Sequence, residues 1–229
     1  MVMSSATRED SESIRQRLDK TRRFWDNQSK NWDKSEGRFD PALAKVLRRS
    51  EKYLKKDDTV LDFGCGTGTR SLELAPFVRR VIGLDISPKM IEHAREKAKE
   101  QRIENADFTD GTIFDEICKV GSFDAVVSFG VIHLLEDYKD VLRRINELLK
   151  PGGLFISTTA CLREHMTFRD RFVLSIYLFV KKIGLFPYFL NLLKNSDVDE
   201  IIEGGDFRII ESENYVAGIS IYFVAAEKK

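Results

Sequence analysis

The chain is poor in cysteine, even-handed in charge and free of long unbroken apolar runs. Its three cysteines, Cys65, Cys118 and Cys161, are an odd number, and no two stand at zinc-ligand spacing. That argues against a disulfide scaffold and a cysteine-held metal, so no metal site is expected, and a reducing, cytoplasmic compartment is. Lysine plus arginine and aspartate plus glutamate both number 37, giving a formal net charge of zero. General nucleic-acid binders carry a basic excess, so no nucleic-acid partner is expected. The polar opening MVMSSATREDSESIRQRLDK lacks the apolar stretch of a signal peptide. The greasiest stretch, residues 172–193, is interrupted by Lys181, Lys182 and Pro187. A spanning helix needs about 20 consecutive apolar residues, so no transmembrane segment is expected. Internal repeats and low-complexity tracts are also missing.

What is present is one domain's worth of alternating patterns. The 229 residues suit a single α/β domain. Residues 1–40 are charged and partly helical in pattern, with Phe24, Trp25 and Trp32 as isolated aromatic anchors. From about residue 58 onward, apolar β-type runs alternate with helical ones, the mark of a parallel sheet. Strands are expected at 59–64, 80–85, 106–111, 123–130 and 153–160, with a helix through SLELAPFV after the first. Ser87 and Pro88 read as the cap and first turn of a helix placing Met90, Ala94 and Ala98 on one face. In DYKDVLRRINELL, Val141, Leu142, Ile145 and Leu148 fall at helical spacing before Pro151-Gly152-Gly153. A short helix in DVDEIIEGG and two final strands, FRIIESENY and GISIYFVAA, close the chain. The expected fold is α/β and doubly wound. It has a mostly parallel seven-stranded sheet with an antiparallel terminal hairpin, five β-α units, helices on both faces and helical lid elements.

Chemistry concentrates in VLDFGCGTG, Val60 to Gly68. A strand ends near Asp62, and Gly64, Gly66 and Gly68 then alternate before a helix. In doubly wound sheets ligands bind beyond the carboxyl ends of the strands, where glycines let a ligand come close. A dinucleotide fingerprint would need a third glycine at Thr69, and a phosphate-binding P-loop would need a lysine after Gly68. Neither is there. Asp85 ends the second strand, where a carboxylate can accept two hydrogen bonds from a ribose diol.

The D-x-G-x-G-x-G pattern resembles the first motif of class I S-adenosylmethionine (SAM) dependent methyltransferases, and VIGLDISPKMI resembles their second. The likeness covers roughly residues 55–160. Within the class it is nearest to the small-molecule group that includes quinone-biosynthesis enzymes. The resemblance implies SAM as cofactor, Asp85 on the ribose hydroxyls and Ile86 on the adenine, with Met90 beside them. It implies that Asp62 organises the loop or meets the amino group of the methionine part, with Gly64, Cys65, Gly66 and Gly68 forming the cradle. Family members place an acid after the third strand; here Gly111 and Thr112 stand at that pair and Asp110 lies two positions early, so either serves. Phe129 and Gly130 fall where backbone contacts to the cofactor are made. Trp25, Trp32 or Phe129 can face the sulfonium through cation–π contact. His133, just past the fourth strand, is the candidate general base, ahead of His165, Glu136 and Glu164.

The same resemblance assigns substrate recognition to the variable regions. Residues 1–45 are expected to form a helical lid. Residues 161–196 are expected to form an apolar helical cap over the acceptor, carrying Phe172, Ile176, Tyr177, Phe179, Leu185, Phe186, Tyr188 and Phe189. A self-packed cap and a peripheral membrane contact are the other readings of that stretch. The expected reaction is methyl transfer to a small, lipophilic acceptor. The alternatives are a protein methyltransferase and a non-catalytic SAM-binding module. Amino-methylating DNA enzymes carry an Asn/Asp-Pro-Pro-Tyr/Phe tetrapeptide where this chain has Ser128-Phe129-Gly130-Val131, which disfavours them.

Overall fold

The computed structural model describes residues 8–37, 40–182 and 189–229. Three helices come first: α1 (Arg8–Gln28), α2 (Trp32–Glu36) and α3 (Asp40–Glu51), with a 3-10 turn at Ser29–Asn31. The alternating part follows as β1 (Thr59–Phe63), α4 (Thr69–Leu74), β2 (Arg80–Asp85), α5 (Pro88–Gln101), β3 (Ala106–Asp110), β4 (Phe123–Phe129), α6 (Tyr138–Leu148) and β5 (Leu149–Ala160). The chain continues through α7 (Phe168–Lys182), α8 (Asn195–Glu203), β6 (Phe207–Ala217) and β7 (Ile219–Lys228).

The strands form one sheet of seven in the order β3-β2-β1-β4-β5-β7-β6. The first five are parallel, and β7 runs antiparallel to both β5 and β6. This is the doubly wound, mostly parallel sheet with an antiparallel hairpin that the sequence pattern predicts. Side chains alternate between two buried faces. Val60, Val81, Ala125 and Ile156 join Ile91, Ala94 and Leu72 on one side; Leu61, Leu84, Val126 and Phe155 join Leu142, Ile145 and Ile202 on the other. With both faces covered, the place open to a ligand is the sheet's end.

Several elements follow from local chemistry. Ser87 Oγ accepts the Met90 N–H at 3.2 Å and Pro88 opens α5, whose Met90, Ala94 and Ala98 are buried as their spacing predicts. Val141, Leu142, Ile145 and Leu148 are the buried face of α6. The helix expected after β1 ends early: α4 gives way to a 3-10 turn at Ala75–Phe77, because Pro76 has no N–H to continue the ladder. The fifth strand starts at Leu149 rather than 153, and its pairing with β4 shifts register between Phe123 and Ala125 to pass Pro151-Gly152-Gly153. No helix joins β3 to β4, so that β-α unit is corrected. The N–H and hydroxyl of Thr112 both donate to Asp115, at 2.8 Å each, a local turn that competes with helix formation.

Candidate functional site

At the carboxyl ends of β1, β2 and β4 lies a cavity of about 740 Å³. The glycine loop builds one wall. Gly64 N–H and Cys65 N–H both donate to Leu84 O, at 2.8 and 3.1 Å, which folds the loop over the end of β2. Gly64, Gly66 and Gly68 all have left-handed backbones. Two of them serve different ends. A Cβ on Gly68 would stand 2.7 Å from Ala94 Cβ and 2.8 Å from the Phe108 ring, so this glycine lets the loop pack on α5 and β3. A Cβ on Gly66 would stand 3.2 Å from Trp32 Nε1, so here the backbone faces the N-terminal helices.

Asp85 sits between the loop and α5. Its Oδ2 accepts Gly66 N–H and its Oδ1 accepts Ser87 N–H, both at 2.9 Å. Burial pushes its pKa above the usual carboxylate range, against the pull of those N–H donors. Asp62 is buried and accepts the Ser71 hydroxyl, which ties the end of β1 to α4. The Cys65 thiol is pushed far up by burial and by the charges of Asp62 and Asp85, so it stays protonated and a poor nucleophile.

The N-terminal helices roof this end of the sheet. Arg22 Nε donates to Ile86 O at 3.1 Å, and Asp26 Oδ1 accepts Ser87 Oγ–H at 2.6 Å and Lys89 N–H at 3.3 Å. Lys97 pairs with Asp33 at 2.6 Å, and Arg17 with Glu136 at 2.5 Å. Trp25 and Trp32 meet edge to face, 5.4 Å between centroids.

Of the residues singled out in the sequence, Trp25, Trp32, Asp62, Gly64, Cys65, Gly66, Asp85, Ile86, Met90, Gly111, Thr112, Phe129 and Gly130 line the cavity together. Gly68, Asp110 and His133 stand off its wall, as do the weaker base candidates His165 and Glu164. Gly68 is spent on packing, and Asp110 is exposed at the end of β3. His133 lies in a 3-10 turn at Ile132–Leu134 with its Nδ1 enclosed, and burial pushes its pKa down to about 4. A general base works best with a pKa near the working pH, and burial moves His133 away from it; its ring also lies off the cavity lining. Among the groups weighed as bases, Glu136 alone lines the cavity.

The sequence reading missed Arg17, Leu18, Thr21 and Arg70, along with the apolar wall of Ile113, Phe114, Leu134, Leu135 and Val141. A signal existed for Arg70, one residue into the helix after the glycine loop. For α1 there was none, since polar helix residues facing a cavity look like residues facing solvent. From the 161–196 insertion, Phe189 reaches the cavity, whereas no described side chain of α7 does. Leu185, Phe186 and Tyr188 lie outside the described residues, as does the side chain of Tyr177. Among the described residues, no three acidic, histidine or cysteine side chains are grouped to hold a metal, and no helix is long and apolar enough to cross a membrane.

Comparison with known proteins agrees with this geometry. A family described as methyltransferase domain matches residues 54–182. A demethylmenaquinone methyltransferase of Lactococcus lactis is 39% identical over 98 residues, 42% of this chain and 39% of that one. The chain spans about two fifths of the length of the first curated relatives it matches. A demethylmenaquinone methyltransferase of Staphylococcus carnosus is 25% identical over 92% of this chain and 94% of its own. In fold, the geranyl diphosphate C-methyltransferase of Streptomyces coelicolor superposes with a TM-score of 0.65 at 17% identity, over 82% of this chain and 78% of that one.

Proposed function

We propose, from the premise that this chain belongs to the methyltransferase domain family, that it transfers a methyl group from SAM to a small, lipophilic acceptor. One observation carries the cofactor half: the Asp85 carboxylate, held by two backbone N–H groups on the cavity wall beside a left-handed glycine loop. Its remaining lone pairs suit a ribose diol. The residues present fit the rest of the group. Ile86 and Met90 offer an apolar flank for adenine, with Gly111 and Thr112 beside them in place of the exposed Asp110. Gly64 and Gly66 give backbone access for the methionine part, and Asp62, through Ser71, keeps the loop in register. Arg70 adds a cation to that wall, which suits a carboxylate. Trp25, Trp32 and Phe129 supply aromatic faces for a sulfonium.

When bound, SAM supplies a methyl already activated on sulfur. The chain's task is then to hold a nucleophile in line, about 3 Å from that carbon, and to exclude water. The roof of α1 and α2 covers one side of the cavity, where it can keep water from the bound cofactor. Leu134, Leu135, Val141, Phe114 and Phe189 form an apolar wall that suits a lipophilic acceptor, as do the quinone-type acceptors named for the relatives. Glu136, beside Arg17, and the adjacent Asp137 put carboxylates on the wall for an acceptor that must lose a proton.

Calorimetric titration with S-adenosylhomocysteine, with NADH as comparison, tests the cofactor. Selective binding is expected, weakened about 10-fold or more by Asp85→Ala, roughly 1.4 kcal/mol. Affinity should also fall on acidification, since protonating Asp85 removes an acceptor; burial raises its pKa, so the loss begins above the ordinary aspartate range. A folded protein that ignores the homocysteine compound would sink the reading.

A further inference from the structure

Helix α7 is built inside out. Its inward side carries Asp170, which accepts the Thr167 hydroxyl at 2.6 Å, and the half-buried Leu174 and Leu178. Phe168, Phe172, Val173, Ile176 and Phe179 point outward and are 50 to 88% exposed. Phe168, Phe172, Ile176 and Phe179 follow at steps of four, four and three, so they form one stripe along the helix. A water-facing helix normally turns that stripe to the core, and a contiguous exposed apolar patch marks a contact surface.

We propose that this outward face of α7 docks on an anionic lipid bilayer. Charge selects the occupant. The helix sequence holds Arg169 and Arg171 at one end and Lys181-Lys182 at the other, against a single acid, Asp170, which is turned inward. Both arginines are exposed beside the apolar stripe. Phenylalanines that enter the acyl boundary, flanked by cations at headgroup level, are the pattern of an interfacial helix. A second copy of this chain fits poorly, because a two-fold pairing of α7 on itself would set cations against cations. The same insertion that carries this face also brings Phe189 to the cavity wall, so the surface is placed to serve an acceptor dissolved in lipid. The docking face stands independently of the proposed chemistry.

The test is co-sedimentation of the full chain with vesicles of phosphatidylcholine alone and of phosphatidylcholine mixed with phosphatidylglycerol. Binding at least about 10-fold tighter to the anionic vesicles is expected. Arg169→Gln with Arg171→Gln should weaken it about 25-fold, from roughly 5-fold per cation. Phe172→Ser with Phe179→Ser should abolish it, with circular dichroism unchanged in both variants. Failure to bind anionic vesicles, or binding that neither pair of substitutions moves, would overturn the proposal. So would a dimer in sedimentation velocity that the phenylalanine pair dissolves, which would make a second copy the occupant.

Discussion

His133 shows how one enclosed ring nitrogen changes a residue's job. Its Nδ1 is buried without a hydrogen-bond partner among the described residues, and burial alone lowers its pKa to about 4. In the unfolded chain the same group titrates near 6.5. Between those values the unfolded state binds the extra proton, so the stability His133 contributes is present above about 6.5 and is lost as pH falls toward about 4. Melting temperature should therefore fall across that window, and His133→Gln should flatten the fall, as read by calorimetric scans at stepped pH. At this scale the sequence was readable where a residue sits in a motif. Asp85 and the glycines are recognisable because their spacing is dictated by the ligand's shape. Arg22 and Asp26 were not, because their partners, Ile86 O, Ser87 and Lys89, lie more than sixty residues away. The sign of His133's environment was equally hidden, since burial belongs to the fold and not to the histidine.

Among elements, the loop from β1 to α4 separates folding from binding at two neighbouring glycines. Gly68→Ala would put a Cβ 2.7 Å from Ala94 on a backbone with φ of +76°. A left-handed alanine costs about 1–2 kcal/mol and overpacking about 1–3 more, so denaturant melts should show a loss of about 2–5 kcal/mol. Gly66→Ala meets only the Trp32 indole at 3.2 Å, on a roof helix able to shift. Its expected signature is a smaller stability loss with a clear loss of homocysteine-compound affinity. The strands and α5 could be read from the sequence because alternation and capping are local. The turn between β3 and β4 could not, because it is set by the bonds from Thr112 N–H and hydroxyl to Asp115 and by the burial of Ile113 and Cys118, none of which follows a regular period. For α7 the apolar pattern was plain but its direction was not. Periodicity says which residues share a face and leaves open whether that face looks in or out.

At the scale of the whole molecule, the roof and the sheet are two differently fastened bodies. The sheet is sealed by apolar cores on both faces, whereas α1 is held over the site largely by polar links to the β2–α5 loop and by the exposed Arg17–Glu136 pair. The exposed Arg17–Glu136 pair contributes about 0–1 kcal/mol, and each hydrogen bond made by Arg22 and Asp26 about 0.5–1.5 kcal/mol. That is far less than the two apolar cores contribute, so the roof can lift before the rest unfolds. Arg22→Ala combined with Asp26→Ala removes three hydrogen bonds of about 0.5–1.5 kcal/mol each. The melting temperature should therefore fall by several degrees, about 2–4 °C per kcal/mol at this size, with the sheet still folding. Stopped-flow release of the bound homocysteine compound should quicken several-fold. A melting temperature that collapses would show the roof to be part of the core. The overall layering was open to sequence reasoning, since five apolar strands alternating with helices admit few arrangements. The strand order was not fully so: a closing hairpin can be read locally, but which of its strands meets β5 is a long-range choice. The sheet places β7 there, between β5 and β6. A ribosome delivers those strands in a different sequence. While β6 emerges it has no neighbour to pair with, and β5 waits with one bare edge, until Ile219–Lys228 has been made and can slide between them. For that interval the nascent chain exposes unpaired edges on two strands, the state in which a polypeptide is most open to chaperones and to pairing with the wrong partner.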